Sequence, residues 1–153
     1  MSSVPTARLL LDTNVVSEVT RPKPSPNVLA YLSLLDHSQT SISLITVGEI
    51  ERGILQVEHP DRAIKLRNWL DGQLLPQYAG RVLPLDEMVI RRWGELMARP
   101  AVRAWTGLAI DALLAATASV HRLTLVTRNA RDFGVFPVTT YDPWQYSPEE
   151  PSS

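Results

Sequence analysis

The sequence predicts an α/β domain built from parallel βαβ units. Two observations support this class: short apolar runs alternate with longer segments of helical periodicity, and 153 residues suffice for one sizeable core. The composition, with 44% hydrophobic and 20% charged residues, is that of an ordinary globular chain. We therefore expect one domain without internal repeats.

The predicted strands are five short runs that are apolar or alternate between apolar and polar residues. They cover residues 8–12, 40–44, 81–85, 123–127 and 137–141. Helical spacing of apolar residues predicts helices over 14–19, 26–35, 46–57, 60–70, 87–97 and 107–121. The proline-rich stretch 21–26 cannot be helical through its middle, and Pro100 interrupts or ends the fifth helix. We expect residues 1–7 and 147–153 to be flexible termini.

The composition excludes several classes of protein. The chain has no cysteine, which rules out disulfides, thiol nucleophiles and zinc sites made of cysteine. No apolar run approaches the roughly 20 residues needed to span a membrane, and we expect no signal peptide at Met1. These features fit a cytoplasmic protein. The net charge of −1 does not by itself indicate a nucleic-acid binder.

Four acidic residues fall where an α/β chain brings them together. Asp12 ends the first strand, Glu49 and Asp111 lie in the opening turns of helices, and Asp132 follows the fourth strand. In a parallel sheet these positions face one crevice. At ~5 Å and an effective dielectric constant of ~20, each pair of carboxylates would repel by about 3 kcal/mol. A Mg²⁺ or Mn²⁺ ion would relieve that repulsion, which predicts a metal-dependent enzyme acting on phosphate.

Each carboxylate also has a purely structural explanation. Asp12 could cap the helix that follows it, and Asp111 could complement the positive end of its own helix. Glu49 lies three residues after Thr46, the spacing of a capping box, and Asp132 could hold an Asx turn. The joint placement on one rim favours a site, because independent caps have no reason to collect there.

Polar residues near these positions could support the site. Hydroxyl and amide groups able to orient carboxylates or water belong to Thr13, Asn14, Thr127 and Asn129. Arg128 and Arg131 are placed to touch a phosphate backbone, with solvated loop charge as the alternative. Arg52, one turn beyond Glu49, could pair with Glu49 and weaken its case as a ligand.

Four segments resemble the PIN-domain ribonucleases, and more narrowly the VapC toxins of the FitB-like branch. They are 10–14 (Leu-Leu-Asp-Thr-Asn), 46–50 (Thr-Val-Gly-Glu-Ile), 111–118 (Asp-Ala-Leu-Leu-Ala-Ala-Thr-Ala) and 125–133, which runs from Leu125 to Phe133. Residues 93–94 and 142–144 (Asp-Pro-Trp) match too. The resemblance covers residues 8–146, which we take as the domain.

The resemblance implies a central parallel five-stranded sheet flanked by helices, with one or two Mg²⁺ or Mn²⁺ ions in an acidic pocket. Asp12 and Asp111 would be the main metal ligands, with Glu49 and Asp132 completing the pocket. The implied reaction is hydrolysis of RNA phosphodiester bonds by a metal-activated water.

The implied partners are an RNA substrate and a small VapB- or FitA-like antitoxin whose tail fills the pocket. The resemblance also implies a homodimer, a hetero-oligomer with the antitoxin, and contact with DNA only through the antitoxin.

Three other functions compete with this interpretation. An aspartyl phosphatase also ends its first strand with Asp, but it usually needs a second Asp where this chain has Asn14. A PIN-domain nuclease in RNA processing would need no antitoxin. A non-catalytic interaction module would not need four acidic residues.

Overall fold

A computed structural model describes residues 8–103 and 107–148 and shows one parallel sheet of five strands. The strands are β1 (Leu9–Leu11), β2 (Thr40–Ser43), β3 (Val82–Leu83), β4 (Thr124–Val126) and β5 (Thr140–Tyr141). Their order across the sheet is β3-β2-β1-β4-β5, with every neighbouring pair parallel. The prediction of an α/β fold with a central parallel five-stranded sheet is confirmed.

Helices connect the strands on both faces. The α-helices are α1 (Thr13–Val16), α2 (Pro26–Leu34), α3 (Leu44–Leu55), α4 (Pro60–Trp69), α5 (Leu75–Gln77), α6 (Glu87–Met97), α7 (Pro100–Arg103) and α8 (Ala109–His121). A π-helical turn (Leu70–Leu74) joins α4 to α5. Short 3₁₀ helices cover Ser17–Thr20, His37–Gln39, Asp132–Val135 and Pro143–Gln145.

The sheet separates two hydrophobic clusters, as the alternation of β1 requires. Leu9 and Leu11 pack into the cluster beneath α1, α2, α3 and the π-helical turn. Leu10 faces the opposite cluster, which α6 and α8 cover. The alanines of α8 are almost fully buried, at Ala112, Ala115, Ala116 and Ala118. These small side chains let α8 pack closely against α6 and β4.

The strand order places the crevice of the sheet between β1 and β4. The chain first builds outward from β1 through β2 to β3, and then returns to the other side of β1 for β4 and β5. Connections after β1 and β4 therefore diverge at the carboxyl edge, which is the position where open α/β sheets bind ligands. Asp12 follows β1 directly, and Thr127 follows β4.

Several predicted boundaries were wrong by a few residues. The predicted strands were longer than the observed ones, and the last predicted helix begins at Ala109 rather than at residue 107. The third helix begins at Leu44 rather than at Thr46, because Ser43 caps it by accepting a hydrogen bond from the Ile45 amide. Pro100 does not only end a helix, since it opens α7, where its missing N–H costs nothing.

The prediction of flexible termini falls on residues 1–7 and 149–153, which lie outside the described part of the chain, while Ser147 and Pro148 are exposed coil. Within the described ranges, no helix is both long and apolar enough to cross a membrane.

Candidate active site

Asp12 is a buried carboxylate held by two hydrogen bonds at the end of β1. Its side chain is 6% exposed. The Thr13 amide donates to Oδ1 at 2.6 Å, and the Thr127 hydroxyl donates to Oδ2 at 2.7 Å. Burial raises the pKa of Asp12 above its usual value, while these two hydrogen bonds lower it and the charge of Glu49 raises it. Asp12 caps α1, as its structural explanation predicted, and also faces the crevice.

Glu49 reaches the same crevice from the second turn of α3. The Thr13 hydroxyl donates to Glu49 Oε1 at 2.6 Å and lies 3.1 Å from the hydroxyl of Thr46, which is fully buried. A hydroxyl has one proton, so Thr13 donates it to Glu49 and accepts from Thr46. The capping-box explanation of Glu49 is wrong, because α3 starts two residues before Thr46. Nor does Arg52 form an ion pair with Glu49 among the described residues.

Asp111 enters the crevice from the first turn of α8. Burial is the largest cause that raises its pKa to about 6, and the charges of Asp12, Asp132 and Glu49 raise it further. A carboxylate whose pKa depends on three others must lie within electrostatic reach of all of them. The structure therefore brings the four predicted acidic residues into one negative field.

Three of those carboxylates line a single open pocket of about 310 Å³ at the carboxyl edge of the sheet. Its walls are Asp12, Thr13, Asn14, Ser17, Glu49, Asp111, Leu114 and Asn129. We call this pocket the acidic pocket. Asp132 is not part of its wall. It is exposed at the start of a 3₁₀ helix and acts on the pocket through its charge.

The predicted supporting residues divide into two groups. Thr13 and Thr127 hold Glu49 and Asp12 directly, and the Asn129 amide donates to the Thr127 hydroxyl oxygen at 3.1 Å. Asn14 lines the acidic pocket, and its Oδ1 is buried without a hydrogen-bond partner among the described residues. Asp12 and Glu49 are thus pre-oriented by neutral hydroxyl groups.

The two predicted substrate-binding arginines are both exposed on the loop after β4, outside the wall of the acidic pocket. The Arg128 guanidinium lies over the Trp144 ring, 4.9 Å from its centre. Arg131 takes part in no ion pair in the part of the chain that the structure describes.

The donor set of the acidic pocket fits a hard divalent cation. Its oxygens come from carboxylates and from the unpartnered amide oxygen of Asn14, the ligand type that Mg²⁺ and Mn²⁺ prefer. Among the described residues, no three acidic or histidine side chains lie close enough together to hold one ion. Mg²⁺ commonly binds through one or two carboxylates and keeps several waters, so three direct protein ligands are not required.

Sequence reasoning missed three residues around this site. Thr46 was assigned to a helix cap, although it donates to Thr13 across two elements. Ser17 was not predicted as a site residue, and it lines the acidic pocket. Trp144 was noted only as part of a motif, and no sequence signal pairs it with Arg128.

The sequence model of the PIN domain matches residues 9–136, a range that contains all four acidic positions. The chain belongs to the PIN-domain family. Toxin FitB of Neisseria gonorrhoeae is 35% identical over 136 residues, which make up 89% of this chain and 98% of FitB. VapC ribonuclease Y4jK of Sinorhizobium fredii is 33% identical over 137 residues, 90% of this chain and 98% of that protein.

The fold of this PIN domain is also similar to that of a solved relative. The crystal structure of FitAcB from Neisseria gonorrhoeae matches with a TM-score of 0.83 at 35% identity, covering 90% of this chain and 99% of the other. The resemblance inferred from four short segments therefore extends over most of the molecule.

Proposed function

We propose that this PIN domain is a metal-dependent endoribonuclease and the toxin of a toxin–antitoxin pair. The observation that carries the proposal is the acidic pocket, in which Asp12, Glu49 and Asp111 converge from three separate elements. Similarity to a toxin and to a VapC ribonuclease along nearly their whole lengths supports the same function.

Asp12 and Asp111 are the proposed ligands of a Mg²⁺ or Mn²⁺ ion. Bound there, the ion would lower the pKa of water and stabilise negative charge on the scissile phosphate. Thr127 fixes the orientation of Asp12, because its hydroxyl is buried and donates to Oδ2. Burial disfavours the ionised form of Asp111, whereas a cation bound nearby would favour that ionised form.

Glu49 is the proposed base or water-orienting group. Thr13 occupies its Oε1 by donating a hydrogen bond, while Oε2 accepts none from the described residues. That free oxygen can accept a proton from water in the acidic pocket. Asp132 would contribute negative charge and contact the ion only through water, and Arg128 and Arg131 would contact the RNA backbone. The proposed location is the cytoplasm, where an RNA substrate would be available.

The proposed partner is a small VapB- or FitA-like antitoxin. The acidic pocket is negative and open, so a basic side chain from the tail of such a partner can enter it and substitute for the charge of the ion. As in the resemblance noted above, the assembly would contain a homodimer of this chain, with DNA contacted only through the antitoxin.

The test is expression of the protein alone in a bacterial host, followed by sequencing of RNA ends and purification for cleavage assays. We expect growth arrest and RNA cleavage that Mg²⁺ supports and EDTA stops. Asp12→Asn and Asp111→Asn should each abolish both effects. The control is Asp61→Asn, which removes an exposed carboxylate from the first turn of α4.

Cleavage that ignores chelation would contradict the metal mechanism. Undiminished toxicity in both pocket variants would contradict their role as ligands. A short gene beside this one whose product relieves the growth arrest would distinguish a toxin from a PIN-domain nuclease that needs no antitoxin.

A further inference from the structure

Two arginines in the described residues stack on aromatic rings, and they differ in what their guanidinium groups do. Arg81 lies 4.8 Å from the centre of the Tyr78 ring and also donates to the Thr40 carbonyl at 2.7 Å and to other backbone carbonyls. That pair is a structural connection at the amino edge of the sheet. Arg128 stacks on Trp144 at 4.9 Å, but its guanidinium makes no hydrogen bond or ion pair with the described residues.

Arg128 belongs to the loop after β4 that borders the acidic pocket. Its chain neighbours are Thr127, which donates to Asp12, and Asn129, which lines the pocket. Consecutive Cα atoms are about 3.8 Å apart, so the Cα atom of Arg128 lies at that distance from the Cα atoms of both neighbours. The stack thus stands on the β4–β5 side of the pocket.

Trp144 is held rigidly enough to act as a platform. Its amide donates to Asp142 Oδ1 at 2.9 Å, and its carbonyl accepts from Asn27 Nδ2 at 3.0 Å. Its side chain is partly buried and packs against the hydrophobic cluster that contains Tyr31. A guanidinium lying over this ring keeps its N–H groups in one plane, which suits bidentate contact with phosphate.

We infer that Arg128 and Trp144 form a phosphate-binding subsite for RNA beside the acidic pocket, with Arg128 contacting a backbone phosphate and Trp144 acting as its positioning residue. This inference rests on the proposed function. The positive subsite offsets the repulsion between the RNA backbone and the pocket carboxylates.

The experiment measures binding of a short single-stranded RNA of mixed sequence by fluorescence anisotropy at several KCl concentrations. All proteins carry Asp111→Asn so that bound RNA is not cut. Onto this background are added Arg128→Gln, Arg128→Lys, Trp144→Leu, Trp144→Phe and the double variant Arg128→Gln with Trp144→Leu. Arg122→Gln is the charge-matched control, since Arg122 is exposed at the amino edge of the sheet.

Arg128→Gln should reduce the slope of log affinity against log salt by about 0.7, the value for one phosphate contact on a single strand. Arg128→Lys should keep the slope, and Arg122→Gln should leave both slope and affinity unchanged. Trp144→Leu should weaken binding about two- to fivefold, as for loss of an exposed cation–π contact. The same change should have no effect in the Arg128→Gln protein, because coupled residues are not additive.

The inference would be overturned if Arg128→Gln left the slope of log affinity against log salt unchanged. Equal effects of Trp144→Leu with and without Arg128 would also overturn it. So would RNA binding too weak to measure in the background protein. Should Trp144→Leu fail to fold, Trp144→Phe and the salt slopes of the Arg128 variants carry the test. Cleavage by the unmodified protein is assayed separately, so a nuclease without this subsite is distinguishable from a protein that is no nuclease.

Discussion

Asp12 shows how a buried carboxylate can be kept ready for a cation. Burial raises its pKa, whereas the hydroxyl of Thr127 and the amide of Thr13 lower it by donating to its two oxygens. Both donors are neutral, so they stabilise the ionised form without cancelling its charge. An arginine in their place would stabilise the carboxylate equally well, but it would also repel a metal ion.

Thr127→Val tests this arrangement at a single residue. The change removes the donor to Asp12 Oδ2 and keeps the volume of the side chain, so the pKa of Asp12 should rise and its orientation should loosen. We expect RNA cleavage to fall about 10- to 100-fold, as for other residues that orient metal ligands. Single-turnover cleavage across a range of pH and Mg²⁺ concentrations measures the effect.

The matched control for this change is Thr117→Val. Thr117 is equally buried, but its hydroxyl donates to the Leu113 carbonyl within α8, away from the acidic pocket. Cleavage should be unchanged in this control. Equal losses in the two variants would mean that Thr127 acts through general stability and not through Asp12.

At the scale of elements, Glu18 connects the 3₁₀ helix Ser17–Thr20 to the start of α2. It is 5% exposed in the 3₁₀ helix Ser17–Thr20, and its Oε2 accepts a hydrogen bond from the Ser25 amide at 2.8 Å. Ser25 in turn caps α2. This contact closes the proline-rich loop between the two helices, where prolines leave few backbone amides to do so.

Glu18→Ala should lower the free energy of unfolding by about 1–3 kcal/mol, because the Ser25 amide loses its buried acceptor. Chemical denaturation measures the change. Glu87→Ala serves as the comparison, since Glu87 forms an exposed ion pair with Arg91 at 2.8 Å and its removal should cost no more than about 1 kcal/mol. A loss for Glu18→Ala no greater than for Glu87→Ala would show that the loop closes without it.

Element boundaries show where local patterns stop being informative. Ser43 and Thr46 are both acceptable helix caps in sequence. In the structure Ser43 is still paired with Leu83 of β3 and also caps α3, so the helix begins directly after it. The π-helical turn Leu70–Leu74 leads directly into Leu75 and Pro76. Pro76 has no backbone N–H, which disturbs the regular pattern of helical hydrogen bonds. The sequence around 70–77 shows a continuous apolar periodicity that cannot reveal this turn.

At the scale of the whole molecule, the candidate site was predictable because it follows from topology. Asp12 sits at a strand end, and Glu49 and Asp111 sit at helix starts, so the parallel sheet alone brings them to one edge. The contacts from Thr46 to Thr13 and from Arg128 to Trp144 depend on how helices and loops pack, and no periodicity in the sequence encodes them. Asp132 stands between these cases, since its charge reaches the site while its side chain stays outside the pocket wall.

The uneven distribution of charge links the site to the stability of the molecule. The net charge is only −1, yet four carboxylates share one field at the edge of the sheet. Their repulsion is present in the folded chain and largely absent from the unfolded one. The acidic pocket therefore costs stability until a cation fills it.

Asp111→Asn measures that cost. Because folding raises the pKa of Asp111 from 3.8 to about 6, the folded protein binds this proton more tightly than the unfolded one, and stability falls as pH rises through that interval. With EDTA present, Asp111→Asn should match the unmodified protein near pH 4 and exceed it above pH 6 by about 1 kcal/mol, after allowing for solvent screening. Thermal unfolding should show this as a gain of roughly 2–4 °C.

Mg²⁺ above pH 6 should stabilise the unmodified protein more than the variant. Asp61→Asn, in the first turn of α4, should give no such gain, and equal stabilisation of all three proteins by Mg²⁺ would show that the ion does not bind at Asp111.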